Sequence, residues 1–300
     1  MKRFTLLLLF SLFLVPCDTR SASLLPMAWW KAEGNAMDSG SGPSDGVLVG
    51  GTAFAPGIDG QAFSLDGVDD EIRITPNDIS FSLSNSVTVS GWLVTTGANA
   101  FAGLVDKFAQ AAETTGFQVS MSGDNGFPPN RAGILRSDLG VGTTYSTVYN
   151  DRRVDDGFPH HFALTYDGVQ AVLYVDAVPG NPAVITNWVP ANTEQILLGA
   201  DSAASARHFR GLLDEIKIFP WALSAANVRD LFEAPHPRLR VERVHPASVT
   251  ISWSRDASGF LLQAQPTLGS SAWLDIDTQP DNSATMPTLV PRRFFRLIKP

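Results

Sequence analysis

A single cysteine, Cys17, occurs among 300 residues. An intrachain disulfide is therefore excluded, and stability must come from core burial, with or without a metal. Positive charge is also short, with 22 Lys and Arg against 30 Asp and Glu, which argues against nucleic acid as a partner because phosphate binding needs a basic surface. Beyond the N-terminal segment no stretch reaches the roughly eighteen apolar residues of a membrane span, so no transmembrane helix is expected. Catalytic patterns are scarce too. There is no Glu-x-Asp-x-x-Glu strand to set acid and nucleophile carboxylates about 5 Å apart as retaining glycosidases require. Neither His-Glu-x-x-His nor a phosphate-binding glycine loop occurs, so the chain is not read as an enzyme.

What is present begins with an address. Met1-Lys2-Arg3 is followed by an apolar run from Phe4 to Val15, the pattern of a secretory signal rather than an anchor. Small residues at Ser21-Ala22-Ser23 offer a cleavage point, giving a signal peptide at 1–23, while Leu14-Val15-Pro16-Cys17 leaves a lipid anchor on Cys17 as the alternative. Either route places the protein outside the cell, secreted or on the cell surface. Charge then divides the remainder: 23–234 carries 11 basic against 24 acidic residues, and 235–300 carries 8 against 5. The shift marks two domains, 24–234 and 235–300.

Strand signals dominate both. Val87 to Val94 alternates with period two, and His161 to Tyr166 and Ala171 to Val175 flank Asp167-Gly168 as a hairpin. Ile196 to Gly199 and Leu212 to Phe219 add further strands. One helix is expected over 224–233, with Ser224 as its cap and Val228, Leu231 and Phe232 on one face. Pro235-His236-Pro237 ends it, since proline cannot continue a helix. Five short strand-like runs follow, at 239–244, 248–253, 260–264, 273–276 and 293–298. The class is all-β, and the tail reads as a small sandwich.

Four ordered stretches carry a family resemblance: Ala28 to Asp38, Gly60 to Asp70, Pro159 to Gly168, and Gly211 to Ile218 with Trp221-Ala222-Leu223-Ser224. Together they resemble the laminin-G-like, concanavalin-A-like jelly-roll β-sandwich of secreted bacterial proteins, over about 27–234. The tail, ending in Arg293-Phe294-Phe295-Arg296-Leu297, is similar to small fibronectin- or immunoglobulin-like modules. The chain departs from the family at Glu71, where an aromatic is common, and at Asp176-Ala177, where Asp-Gly is common.

Several residues invite chemistry. His160-His161 is read as structural, one ring packed and one outward, because neighbours on a strand face opposite ways. Asp66, Asp69, Asp70 and Glu71 are read as a solvated turn, with a cation or glycan contact as the alternative. The Asp38 to Gly46 loop mixes oxygen-bearing side chains with glycine, a composition that can surround calcium but also makes ordinary turns. The resemblance implies that this loop lies beside the last strand, which brings Asp214 to Asp38, with Ser41 and Ser44 completing a structural calcium site. Of seven tryptophans, most are expected in the core. Trp188, in Asn187-Trp188-Val189-Pro190, is read as an exposed indole contacting ligand. Specificity is assigned to loops at 106–115 and 123–131. The functional expectation is an extracellular, non-enzymatic module that binds a glycan or a cell-surface protein. Its alternatives are a structural or adhesive envelope component and a polysaccharide hydrolase or lyase.

Overall fold

The computed structural model describes residues 25–42, 44–75, 85–97, 100–110, 113–122, 132–189, 192–202, 207–235, 239–245, 248–253, 260–265, 273–276, 278–279, 283–287 and 294–298. The expected signal peptide at 1–23, with Cys17, and the loop at 123–131 lie outside the described residues.

In chain order the strands are β1 (Ala28–Trp30), β2 (Gly46–Val49), β3 (Ala53–Pro56), β4 (Gln61–Asp66), β5 (Glu71–Ile74), β6 (Val87–Val94), β7 (Gly103–Gln110) and β8 (Thr114–Met121). They continue with β9 (Ile134–Gly140), β10 (Tyr145–Arg153), β11 (His160–Tyr166), β12 (Gln170–Val175), β13 (Val178–Pro179), β14 (Ala183–Val184), β15 (Ile196–Leu198) and β16 (Arg210–Phe219). Helix α1 (Ala225–Glu233) follows, and then β17 (Arg240–His245), β18 (Ser248–Ser252), β19 (Leu261–Gln265), β20 (Leu274–Asp275), β21 (Ser283–Pro287) and β22 (Phe294–Ile298).

The first sixteen strands form two antiparallel sheets. A nine-stranded sheet runs β13-β12-β11-β6-β16-β4-β3, with β1 added to β16 and β14 to β12, and a seven-stranded sheet runs β10-β9-β8-β7-β15-β5-β2. Alternation decides which side chains meet. Val87, Val89, Phe162, Leu164 and Ile216 of the nine-stranded sheet pack against Ile72, Val105, Phe117, Val119 and Leu139 of the other, all fully buried. Burying one such side chain contributes about 1.5–3 kcal/mol, which is how a disulfide-free chain holds two sheets together. The outward face of the nine-stranded sheet is covered in part by α1 and the residues leading into it, where Val228 and Leu223 pack on Ala163, Val172, Tyr174 and Phe219. As expected, Ser224 caps this helix, its side chain accepting from the Asn227 amide at 3.2 Å.

Also as expected, the first strand pairs with the last: Ala28, Trp29 and Trp30 oppose Ile218, Lys217 and Ile216. The hairpin around Asp167-Gly168 joins β11 to β12. The segment 106–115, expected as a loop, is instead mostly the β7–β8 hairpin. Its polar residues lie on a sheet face, and that is why an apolar-periodicity search passes over it. In the tail β17-β18-β21 and β20-β19-β22 form two three-stranded sheets. Ile251, Trp253, Leu262, Ala284 and Met286 make up a core of their own there. Strand β21 has no counterpart among the five expected runs.

The two-residue turn between β12 and β13 places Asp176 at φ 51° and Ala177 at φ 59°. Both central residues are left-handed, the type I′ requirement that favours Asn or Gly, and alanine carries a steric cost there of about 1 kcal/mol. Ala177→Gly should therefore raise the unfolding free energy by about 1 kcal/mol in urea titration. An unchanged or lower midpoint would show that this turn carries no strain.

Candidate functional site

The expected calcium ligands do not converge. Asp38 bridges Trp30 on the edge of β1 opposite to β16, so the width of β1 separates it from Asp214. Its Oδ1 accepts the amides of Trp29 at 2.8 Å and Gly40 at 2.7 Å, and its Oδ2 accepts that of Ser44 at 3.2 Å. Asp38 and Ser44 are thus adjacent, while Ser41 is held by its own amide, which donates to the Pro26 carbonyl at 3.2 Å. Backbone amides already fill the Asp38 carboxylate, as in an ordinary Asx turn. Gly42-Pro43-Ser44-Asp45-Gly46 spells Gly-x-Ser-x-Gly, although the sequence reading expects no such elbow in the chain. Ser44 precedes β2 rather than a helix, so the strand–turn–helix of a nucleophile elbow is absent here.

Asp214 faces a different loop. Its Oδ2 accepts the amides of Ile58 at 2.7 Å and Asp59 at 3.2 Å, and its Oδ1 is buried without a partner among the described residues. A β-bulge between Asp214 and Lys217, with Glu215 in the left-handed region at φ 54°, turns this carboxylate outward while Leu213 and Ile216 stay in the core. Burial, with Glu215 and Glu33 adding repulsion, pushes the Asp214 carboxyl up to about 8. Glu33 reaches the same loop, since its Oε2 accepts the Gln61 amide at 3.3 Å. A cation placed between the two acids would satisfy the orphaned Oδ1 and remove the repulsion. The second carboxylate at this place is Glu33, which the motif reading missed because only the fold brings it there. Asp214 also lines a cavity of about 70 Å³, walled by Ile58, Trp92, Pro159 and Leu212.

The other sequence candidates separate cleanly. Trp188 is corrected: its ring is 5% exposed, stands edge-on to Tyr166 at 5.1 Å, and donates from Nε1 to the Gly116 carbonyl at 2.8 Å. It is core, because an indole with a backbone acceptor can be buried at no polar cost. His161 is packed and its imidazole pushed down to about 3 by burial, whereas His160 bonds Asp176 at 2.9 Å and Asp156 at 3.0 Å. The acidic run is only half solvated. Asp66 and Asp69 are exposed, but Asp70 and Glu71 are buried. Asp70 accepts the amides of Gly51 and Asp66, and Glu71 pairs with Arg73. One carboxylate oxygen from each of Asp66, Asp69 and Asp70 lies within 4.8 Å of the others.

The outward face of the seven-stranded sheet carries a buried polar network, of which the sequence reading touched only Asp106, within its specificity segment at 106–115. Register stacks Thr147, Asp138, Gln118 and Asp106 in one row across β10, β9, β8 and β7, and Tyr149, Arg136 and Ser120 in the next. Arg136 Nη2 donates to both oxygens of Asp138, at 2.5 and 2.6 Å, and Thr147 Oγ1 donates to Oδ1 at 2.5 Å. Asp106 accepts from the Phe108 amide and Gln118 Nε2, both at 2.8 Å, and from Ser202. Aromatic rings frame this network: the Arg136 guanidinium lies 5.2 Å from Phe101, 5.9 Å from Tyr145 and 6.0 Å from Tyr149. Tyr145 packs edge-on to Phe108 and is 42% exposed. Planar polar groups beside exposed rings can hold a hydroxylated ring through hydrogen bonds and stacking.

Comparison with known proteins comes to the same architecture. The concanavalin A-like lectin/glucanases superfamily (Laminin_G_3) matches residues 66–229. Among solved structures, domain 4 of AbnA, an extracellular GH43 arabinanase from Geobacillus stearothermophilus in complex with arabinotriose, is 20% identical with a TM-score of 0.54, over 69% of this chain and 98% of that one. The binding domain of Paraclostridial Mosquitocidal Protein 1 is 15% identical with a TM-score of 0.57, over 84% of this chain and 63% of that one, just under two thirds. The binding domain of botulinum neurotoxin DC, in complex with rat synaptotagmin II, is 9% identical with a TM-score of 0.55, over 90% of this chain and 73% of that one. At these identities the likeness is one of fold. No curated protein matches the chain.

Burial, with Asp201 nearby, pushes the Asp106 carboxyl from 3.8 up to about 7. A raised folded-state value means that the stabilisation is complete below pH 3.8 and is lost as pH rises through about 7. At about 1.4 kcal/mol per pH unit this amounts to on the order of 4 kcal/mol. Unfolding free energy measured at pH 5 and pH 8 should fall with pH for the native chain and fall less for Asp106→Asn. Identical pH dependence in both would remove Asp106 from the account.

Proposed function

The chain belongs to the concanavalin A-like lectin/glucanases superfamily, and from that premise we propose that it is an exported, non-enzymatic binding module whose ligand docks on the outward face of the seven-stranded sheet. One observation carries this: that face holds a buried polar network framed by Phe101, Tyr145 and Tyr149 around Arg136. Burying charges costs stability unless they are paired, and a sandwich serving only as a spacer gains nothing from placing them there. The relatives lend support, since one is in complex with arabinotriose and another with synaptotagmin II. A glycan outside the cell is the preferred ligand class, with a cell-surface protein as the second reading. The segment 235–300, with an apolar cluster of its own, is taken as a separate small module. A glycan array tests the reading. Binding should appear on a defined subset of saccharides, and Tyr145→Ala should weaken it at least tenfold, about 1.4 kcal/mol. Binding indifferent to Tyr145→Ala would move the site off this face.

Structural calcium is part of the same proposal, with its ligands reassigned. Asp214 and Glu33, rather than Asp38 with Ser41 and Ser44, are the residues that would hold the ion, supported by the orphaned Oδ1 of Asp214. An ion bound only by the folded state adds about 2.7 kcal/mol at a hundredfold excess over Kd. EGTA should then lower the melting temperature by several degrees; Asp214→Asn should abolish the response and Asp38→Asn should keep it. A melting curve indifferent to both chelator and added calcium rejects the ion.

A further inference from the structure

The inventory of donors and acceptors on the proposed ligand face deepens the reading of that face, on which it rests. Its carboxylate oxygens are spent. Asp138 Oδ1 takes Arg136 and Thr147, and Oδ2 takes Arg136 again. Asp106 Oδ1 takes the Phe108 amide and the Ser202 hydroxyl, and Oδ2 takes Gln118 and the Ser202 amide. What remains over is a guanidinium N–H that can only donate and a hydroxyl that can donate or accept. Arg136 Nε and Ser120 Oγ are buried with no partner among the described residues, and Ser120 is 0% exposed. The two residues are cross-strand partners on β9 and β8, so their side chains stand side by side on the same face. A second guanidinium, Arg207, lies 5.2 Å from the Phe101 ring that also meets Arg136.

A neutral sugar hydroxyl can pair with Ser120 Oγ in either direction, but Arg136 Nε takes acceptors only. A carboxylate brings acceptors only, and its bonds to a guanidinium are charge-assisted. We propose that this face recognises a saccharide carrying a carboxylate, of the uronic-acid kind, whose oxygens accept from Arg136 and Ser120 while Tyr145 packs against the sugar ring. The approach lies on the flank where Tyr145 is 42% exposed and the Arg136 side chain retains 11% exposure.

Calorimetric titration of the full chain with trigalacturonic acid and with neutral cellotriose tests this. The acidic trimer should bind at least tenfold more tightly, a preference that high salt diminishes. Ser120→Ala should weaken its binding about fivefold while the melting temperature stays level or rises, because the hydroxyl it removes has no partner to lose. Arg136→Lys, which keeps a cation beside Asp138 but has no Nε, should erase the preference. Equal affinity for the two trimers, or Ser120→Ala binding like the native chain, overturns the carboxylate class and leaves the broader reading standing. A native chain that binds neither trimer also overturns it, and the glycan array with Tyr145→Ala then decides the broader reading separately.

Discussion

The apolar contact between the two large sheets is the interaction on which the rest of the first domain depends. With one cysteine in the chain, no disulfide cross-link can share the work. Core positions therefore largely alternate, and the residues between them are released from the core to do something else. On the nine-stranded sheet the released positions receive α1 over Ala163, Val172 and Tyr174. On the seven-stranded sheet they form the polar floor of Thr147, Asp138, Gln118 and Asp106. The same alternation thus makes both the core and the candidate site.

Where alternation is broken, the break has a consequence. Strand β16 pairs with β1, β4 and β6, so its register is constrained from several sides. The bulge at Glu215 inserts one residue, keeps Leu213 and Ile216 inside, and points Asp214 at the loop that Glu33 also reaches. A left-handed non-glycine residue costs on the order of 1–3 kcal/mol. That cost, together with a buried carboxyl whose Oδ1 has no partner among the described residues, leaves this corner short of one stabilising contact. The Asp38 loop is the opposite case, its carboxylate satisfied by three amides.

The polar floor follows a related logic. Buried charges are tolerated when paired, and Arg136 with Asp138 and Asp106 with Gln118 meet that condition. Arg136 Nε and Ser120 Oγ beside them have no partner among the described residues, and a buried unmade hydrogen bond costs about 1–3 kcal/mol. Interiors rarely retain such groups without a partner arriving from elsewhere. The framing rings serve both states, shielding the guanidinium when the face is empty and offering a stacking surface when it is not.

How much of this was legible in the sequence depends on the range of the physics involved. Period-two runs such as Val87 to Val94, the Asp167-Gly168 turn, and the Ser224 cap with Val228 on its inner face are local signals. They were enough, with four ordered motifs, for the all-β class and the jelly-roll family. The acidic run from Asp66 to Glu71 was legible as a turn, but its two buried members were not, because burial is set by what packs over a residue. Trp188 looked loop-like and exposed for the same reason, since its acceptor, Gly116, is 72 residues away. Strands β7 to β10 carry polar residues on their outer face, which blurred the apolar pattern and hid the floor apart from Asp106. The sequence by itself determined the all-β class and the strands, turn and helix whose signals are local. Only the tertiary structure decided that Asp214 shares a loop with Glu33 rather than with Asp38, and that Ser120 stands beside Arg136, because alternation is written along a strand whereas partnership and register are settled across it.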